Sequence, residues 1–173
     1  YYENNAGLNA NITGFYTEYK NKIVSSSIDD NTNSYTNSGK ARTDGVEFAS
    51  TFPLWSDVLT LSLNYTYTQS KVLEDAQPDQ KGLAYTSYVP RHLLRVWADY
   101  ALTGALERVT LGAGVNAQSS NYRVSPISGN DVSQAGYAVW NGRIGYRIDD
   151  TWSVALNGNN LFDKRYYASI GTE

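Results

Sequence analysis

Alternation of apolar and polar residues with a period of two is the feature that most constrains the fold of this chain. It is clearest over Val58–Ser70, where Leu or Tyr at the odd positions from Leu59 to Tyr67 alternates with Thr, Ser or Asn at the even positions from Thr60 to Thr68. Side chains along a strand point alternately to opposite faces, so this segment predicts a strand with one apolar and one polar face. The same pattern predicts six further strands, at Leu8–Val24, Ala41–Phe52, His92–Leu102, Arg108–Ser119, Tyr137–Ile148 and Trp152–Phe162.

Long and short connections alternate between these seven predicted strands. Short turns at Pro53–Asp57, Thr103–Glu107 and Asp149–Asp150 alternate with long polar loops at Ser25–Asn37, Val72–Arg91 and Ser120–Gly136. Outer-membrane barrels have short periplasmic turns and longer extracellular loops. The alternative is a soluble sandwich or barrel, but that fold would fill its interior with apolar side chains. The pattern therefore favours an all-β, antiparallel, up-and-down transmembrane β-barrel segment with its apolar face towards lipid.

Composition excludes several other classes of protein. The chain has 17 acidic and 14 basic residues, which argues against nucleic acid as a partner, and it has no cysteine and one histidine. No run approaches the roughly 18–20 apolar residues of a membrane-spanning helix, whereas a barrel strand needs only about 9–11 residues. We find no nucleophile elbow or metal-ligand spacing. We therefore expect no catalytic residue, no metal site and no resident cofactor, and His92 is interpreted as a rim residue.

An odd number of strands predicts that the segment belongs to a longer barrel. A sheet in hydrocarbon must close, and bacterial single-chain barrels have an even number of strands. We expect at least one more strand after Glu173 and many before Tyr1. The competing interpretation is a complete eight-stranded structural barrel with one strand unrecognised.

Three stretches carry a family resemblance. Asn37–Phe48 resembles the N-x-G-x-x-x-x-x-G-[VI]-E strand of TonB-dependent receptors, and Val89–Trp97 resembles the V-P-[RK]-H opening of a later strand in siderophore receptors. Asn157–Tyr167 resembles the N-V-x-N-L-F-D-K-x-Y-Y signature near that family's C-terminus, with Gly158 where Val is usual. The chain thus resembles the C-terminal barrel portion of a TonB-dependent ferric-siderophore receptor.

The resemblance implies a 22-stranded barrel around an N-terminal plug, in the outer membrane of Gram-negative bacteria. Residues 1–173 would supply the fifteenth to twenty-first strands, without the plug and the last strand. The implied partners are outer-membrane lipid, a ferric siderophore as cargo, and the TonB complex acting through the plug region. We expect the full-length protein to be monomeric. Cobalamin, haem and oligosaccharide are the alternative cargoes.

Strand parity assigns individual residues to the two faces of the predicted wall. The lumen or plug-facing candidates are Glu47, Arg95, Arg143 and Arg147, either as partners of the plug or as pairs within the wall. Aromatic residues are enriched at membrane interfaces. The candidates for these girdles are Trp55, Trp152, Tyr65, Tyr67 and Tyr146. Trp97 falls on the polar face, where the sequence suggests no role for it.

The long loops supply the candidates for contact with cargo. Tyrosine offers a flat apolar ring with a hydroxyl, and arginine offers a forked cation, which together suit an aromatic, often anionic iron chelate. Packing between loops is the competing interpretation for each of these residues. The candidates are Tyr35, Tyr85, Tyr88, Tyr122 and Arg123.

Overall fold

The computed structural model describes residues 2–3, 7–29, 32–55, 58–124 and 131–170. Its main feature is one antiparallel sheet of eight strands in the order β1-β2-β3-β4-β5-β6-β9-β10, beside a separate hairpin of β7 and β8. All seven predicted strands are present in this sheet. The strands are β1 Tyr2–Glu3, β2 Asn9–Asp29, β3 Thr32–Leu54, β4 Leu59–Glu74, β5 His92–Ala101, β6 Val109–Gln118, β7 Asn121–Val124, β8 Asp131–Gln134, β9 Tyr137–Arg147 and β10 Ser153–Gly158. Short 3-10 turns lie at Pro78–Gln80 and Gly104–Leu106.

The prediction of a loop at Ser25–Asn37 is wrong. Strands β2 and β3 continue through most of this segment, and they pair from Val24 opposite Thr36 up to Asp29 opposite Thr32. The alternation of apolar residues disappears here although the strands do not end. Backbone groups pair in the ladder whatever the side chains are, so two strands can continue where the sequence gives no alternation.

Two other predicted bounds also differ from the structure. The predicted strand Trp152–Phe162 ends at Gly158, after which the chain turns. The predicted loop Ser120–Gly136 contains the hairpin of β7 and β8, while residues 125–130 lie outside the described ranges, as do Ser56 and Asp57 of the first short turn.

Strand register gives the sheet two chemically different faces. The apolar face carries the opposed residues Ile12, Phe48, Tyr65, Leu94 and Ala117. The next row along the strands lies on the polar face and carries Asn11, Ala49, Asn64, Arg95 and Asn116. The predicted segregation of side chains is therefore confirmed.

The sheet has almost no core of its own. Ala41, Val72 and Val139 are the buried hydrophobic residues among those described, whereas Ile12 and Leu156 are 70% and 72% exposed. A soluble protein rarely leaves so broad an apolar surface open to water. On β4 this surface runs from Leu59 to Tyr67, which is about 27 Å at ~3.4 Å per residue. That length suits a strand crossing an apolar band ~25 Å tall.

The two ends of the sheet also differ. At the end that we call the loop end, β2 joins β3, β4 joins β5, and the segment with β7 and β8 joins β6 to β9. At the opposite end, the turn end, β5 joins β6 through Leu102–Arg108 and β9 joins β10 through Ile148–Trp152. No helix in the described part of the chain is long and apolar enough to cross a membrane.

Candidate functional site

Two of the predicted cargo residues, Tyr88 and Arg123, are in contact at the loop end, and the backbone of a third, Tyr122, is attached to the same loop. The guanidinium carbon of Arg123 lies 5.1 Å from the centre of the Tyr88 ring, within the range of a cation–π contact. The backbone N–H of Tyr122 donates to Ser87 O at 3.1 Å, and Asn121 Nδ2 donates to Tyr88 O at 2.7 Å. These bonds attach the β4–β5 loop to β7. Tyr88 and Tyr122 nevertheless remain 45% and 40% exposed, so their rings are open to a ligand.

Tyr85 belongs to a second cluster, with partners that sequence reasoning missed. The Lys22 ammonium lies 4.8 Å from the centre of its ring and 3.8 Å from Asp75 Oδ2, and the Tyr19 ring lies 5.8 Å away. The pairing register slips between Tyr19 and Lys22, and Asn21 between them has φ of 57°. This bulge turns Lys22 onto the face of Tyr19. Asn tolerates the left-handed conformation, so Asn21 was the one residue in the sequence that could have indicated this bulge.

Tyr35 stands apart from the other four candidates. It lies within β3, opposite Ser25, and not in a loop as the sequence suggested. Its side chain is 68% exposed and makes no ring contact or hydrogen bond with another described residue. The structure therefore brings the side chains of Tyr88 and Arg123 together, attaches Tyr122 to the same loop through its backbone, places Tyr85 in a second cluster and leaves Tyr35 separate.

The predicted lumen residues share the polar face. Register places Glu47 opposite Thr66, Arg95 opposite Asn64 and Asn116, Arg143 opposite Gly112, and Arg147 opposite Ser153. None of these four charges forms an ion pair with another described residue, so pairs within the wall, one of the two alternatives, are not formed there, and the roles of the four residues stay a prediction. They remain available to groups outside the described ranges.

Two shallow cavities share Arg95 on this face. The larger has a volume of about 500 Å³, and its lining includes Arg95, Asn116, Gln118, Tyr137, Asn141 and Tyr166. The smaller has a volume of about 390 Å³, and its lining includes Glu47, Asn64, Thr66 and Arg95. Side-chain amides dominate the lining of the larger cavity, so it offers both hydrogen-bond donors and acceptors beside the Arg95 cation.

Trp97 lies flat across two glycines on the polar face. A Cβ on Gly112 would come within 2.6 Å of the Trp97 ring, and a Cβ on Gly114 would collide with the same ring and with Val96 O. Trp97 Nε1 donates to Asp99 Oδ2 at 2.8 Å. The structure thus gives Trp97 a packing role that its parity alone did not suggest.

The predicted girdle aromatics lie at two levels of the sheet, and Tyr65, Tyr67 and Tyr146 occupy its apolar face by register. Trp55 and Trp152 are beside the turn end, with 71% and 68% of their surface exposed. Tyr65 and Tyr67 lie near the loop end around His92, and Tyr65 Oη is 2.7 Å from His92 Nδ1. Tyr146 is 45% exposed, one row from the turn end. His92 is held by these two tyrosines, and its position at the rim and the lipid contact of the five aromatics stay predictions.

The segment after β10 is held by one asparagine. Asn160 has φ of 52°, its Oδ1 accepts the N–H of Lys164 at 2.8 Å, and its Nδ2 donates to Lys164 O at 3.1 Å. Leu161 packs over Gly158, where a Cβ would lie 2.7 Å from Leu161 Cδ2, and the Phe162 ring meets Trp140 edge-on at 6.3 Å. These contacts give the Asn-Leu-Phe-Asp-Lys stretch a structural role.

Comparison with known proteins identifies the family. The family description "TonB dependent receptor-like, beta-barrel" matches residues 2–161. The chain belongs to the TonB-dependent receptor family. Members of this family are outer-membrane β-barrel proteins that act as transport receptors and not as enzymes. Within the described ranges, no three His, Cys, Asp or Glu side chains are grouped so that they could hold a metal ion.

Two curated relatives and one solved structure illustrate the match. The ferric-pyoverdine M114 receptor PbuA of Pseudomonas sp. (strain M114) is 69% identical over 137 residues, which is 79% of this chain and 16% of that protein. The catecholate siderophore receptor Fiu of Escherichia coli K12 is 29% identical over 160 residues, which is 90% of this chain and 20% of that protein. The pyoverdine outer-membrane receptor FpvA of Pseudomonas aeruginosa PAO1 superimposes with a TM-score of 0.79 at 24% identity, over 95% of this chain and 24% of its own. The chain therefore spans a fifth or less of the two curated relatives, and the last similarity concerns the fold alone.

Proposed function

We propose that this chain is part of the wall of a TonB-dependent receptor that imports a ferric siderophore, and that its cargo is a ferric pyoverdine. The observation that carries this proposal is the 69% identity to a ferric-pyoverdine receptor over 137 residues. Iron is cargo in this scheme, and no resident cofactor is required. The lower identity to a catecholate receptor, 29% over 160 residues, supports the family more than the cargo.

The cluster of Tyr88, Tyr122 and Arg123 is the cargo surface that we propose. An exposed Tyr88 ring against the Arg123 guanidinium, with the exposed Tyr122 next to it on β7, suits a chelate with aromatic surface and negative charge. Arg123 already faces the Tyr88 ring at 5.1 Å, so its position is set before the cargo arrives. Pre-organisation of this kind reduces the entropy cost of binding. Tyr35 and Tyr85 are weaker candidates, because Tyr35 stands apart and the cation over the Tyr85 ring, Lys22, is already paired with Asp75 at 3.8 Å.

The orientation of the wall follows from the same proposal. The loop end faces the outside of the cell, and the apolar face with its five girdle aromatics contacts outer-membrane lipid. The polar face, with Glu47, Arg95, Arg143 and Arg147, lines the lumen and meets the plug, through which the TonB complex supplies energy. These four side chains have no ion-pair partner among the described residues, which supports a partner in the lumen.

Intrinsic fluorescence of the full-length receptor tests the cargo. Purified receptor is titrated with ferric pyoverdine, a ferric catecholate, cobalamin, haem and an oligosaccharide, and quenching of Trp and Tyr emission is recorded. We expect saturable quenching by ferric pyoverdine at the lowest concentration. Saturation by cobalamin, haem or an oligosaccharide, without a response to any iron chelate, would defeat the siderophore proposal. A preference for the catecholate would retain the class and reject pyoverdine.

The same titration tests the proposed surface. An Arg123→Gln variant keeps a side chain of similar polarity but removes the cation, and Lys20→Gln removes a cation elsewhere at the loop end. We expect a weaker apparent affinity for ferric pyoverdine with Arg123→Gln and no change with Lys20→Gln. Equal effects of the two substitutions would show that only overall charge matters.

A further inference from the structure

The loop between β4 and β5 folds against the polar face of the sheet at the loop end. Its residue Thr86 donates two hydrogen bonds of 2.8 Å, from its backbone N–H and its hydroxyl, to Ser70 Oγ, and Ser70 lies on the polar face of β4. The next opposed pair on this face is Ala41 and Val72, which are 0% and 6% exposed. The loop therefore lies over the wall here and does not extend straight away from it.

One ammonium group holds this loop at two points. Lys22 Nζ lies 3.8 Å from Asp75 Oδ2, near the start of the loop, and 4.8 Å from the centre of the Tyr85 ring, near its end. The Lys22 and Asp75 side chains are 30% and 11% exposed, so salt screens this pair less than it screens a fully exposed one. Lys22 reaches both partners because the bulge at Asn21 turns its side chain to the polar face.

The same loop carries Tyr88, three residues after Tyr85. A 2.9 Å hydrogen bond from the backbone N–H of Val89 to Thr86 O closes a turn that includes Tyr88. Three residues of extended chain reach about 10 Å at most, so a displacement of Tyr85 also displaces Tyr88. The Tyr88 ring in turn lies 5.1 Å from the guanidinium carbon of Arg123. Contacts at the Tyr85 ring and at the Tyr88 ring are thus coupled through one short turn.

We propose that Lys22 is a positioning residue for cargo binding, which holds the β4–β5 loop so that the Tyr88 ring faces Arg123 before the siderophore arrives. This inference rests on the proposed function, in which Tyr88 and Arg123 belong to the cargo surface. The apparent affinity of a site scales with the fraction of molecules in the binding-competent conformation. Lys22 raises that fraction from β2 without touching the cargo.

Direct contact between Lys22 and an anionic cargo is the competing interpretation. The ammonium group already interacts with the Asp75 carboxylate and with the face of the Tyr85 ring, so its charge is compensated in the absence of cargo. The two roles affect different rate constants. A direct contact stabilises the complex and slows dissociation, whereas a positioning residue raises the association rate through the competent fraction.

Stopped-flow fluorescence of the full-length receptor mixed with ferric pyoverdine measures both rate constants. In Lys22→Met we expect an association rate about fivefold lower, the loss that one cation–π contact gives, and an unchanged dissociation rate. Lys22→Arg should restore the rate of the natural receptor, because a guanidinium also pairs with a carboxylate and stacks on a ring. Lys20→Met is the matched control, since Lys20 lies on the same strand, pairs with Glu18 at 3.4 Å and should leave both rates unchanged.

Two further variants test the route through the ring. Tyr85→Leu removes the ring and keeps every charge, so its association rate should fall as in Lys22→Met, and the double variant should be no slower than either single variant. Lys22→Met/Asp75→Asn removes the ion pair without leaving an unpaired carboxylate, and it should remain slow. Hydrogen exchange of residues 84–91 should be faster in Lys22→Met and unchanged in Lys22→Arg.

Several outcomes would overturn the positioning role. They are faster dissociation with an unchanged association rate in Lys22→Met, an equal effect of Lys20→Met, no rescue by Lys22→Arg, and additive effects of Lys22→Met and Tyr85→Leu. Arg123→Gln distinguishes this failure from failure of the proposed function. If Arg123→Gln weakens binding and Lys22→Met does not, the positioning role alone is refuted; if neither variant changes binding, the proposed cargo surface is refuted as well.

Discussion

Gly45 is the position where the wall should tolerate a single methyl group least. It lies on β3 between Phe15 of β2 and Thr68 of β4. A Cβ at this position would lie 2.6 Å from Phe15 Cζ and would also collide with the backbone oxygen of Tyr67. The second contact is with the backbone of β4 and not with the end of a flexible side chain. Gly45→Ala therefore forces β3 and β4 apart.

The expected magnitude follows from two contributions. Overpacking costs about 1–3 kcal/mol, and a disturbed ladder hydrogen bond adds about 1 kcal/mol, giving roughly 2–4 kcal/mol of destabilisation. Gly14→Ala is the matched control, since Gly14 lies on the adjacent strand and a Cβ added to it would have no atom within 4 Å. The lower chain entropy of alanine in the unfolded state should stabilise that variant by about 0.4–1 kcal/mol. The two variants should therefore differ by roughly 2.4–5 kcal/mol.

Urea unfolding of the full-length receptor in detergent, followed by Trp fluorescence, measures this difference. We expect a lower midpoint for Gly45→Ala and an unchanged or higher midpoint for Gly14→Ala. Phe15→Ala/Gly45→Ala should remain less stable than Phe15→Ala alone, because the collision with Tyr67 O persists. Equal midpoints for the two glycine variants would refute the reasoning, and full rescue by Phe15→Ala would assign the cost to the ring alone.

Two further predictions concern the loop end. The hydrogen bond from Lys40, and next that from Tyr16, lowers the pKa of Glu18 below its ordinary 4.5, so its stabilising effect is present above that value and is lost as the pH falls through the folded pKa. Thermal unfolding at pH 6 and pH 3 should therefore depend more on pH in the natural protein than in Glu18→Gln, and identical pH dependence would contradict this. Asn121→Ala removes the bond to Tyr88 O, so hydrogen exchange of residues 84–91 should become faster while that of β5 is unchanged; unchanged exchange in the loop would show that the attachment is not made in solution.

The sequence correctly predicted those strands that have one apolar face and one polar face. Between Leu59 and Tyr67 one face is apolar and the other polar, so the alternation reveals the strand and its register. Beyond Tyr19 the alternation fades in the sequence, and a loop was predicted at Ser25–Asn37 where β2 and β3 in fact pair up to Asp29. Alternation therefore reveals a strand only where its two faces differ in polarity, whereas backbone pairing needs no such difference.

Contacts at the loop end could be predicted only in part. Tyrosines and Arg123 were identifiable from their chemistry, but the partners of Tyr85 were not. Lys22 reaches Tyr85 because the bulge at Asn21 turns its side chain to the face that carries Tyr19. Counting alternate residues along β2 without this bulge would assign Lys22 to the opposite face. An asparagine permits a positive φ without requiring it. The alternation of residues therefore determines faces only as far as the first register slip.

The glycines of the polar face explain how a sheet without a core keeps a defined shape. Phe15 lies against Gly45, and Trp97 lies against Gly112 and Gly114, so in each case an aromatic ring covers backbone on a neighbouring strand. Such pairing fixes register across strands where few side chains are buried. The aromatic and glycine positions thus hold neighbouring strands together on the face that carries Arg95 and Glu47, and these two charges form no ion pair with another described residue.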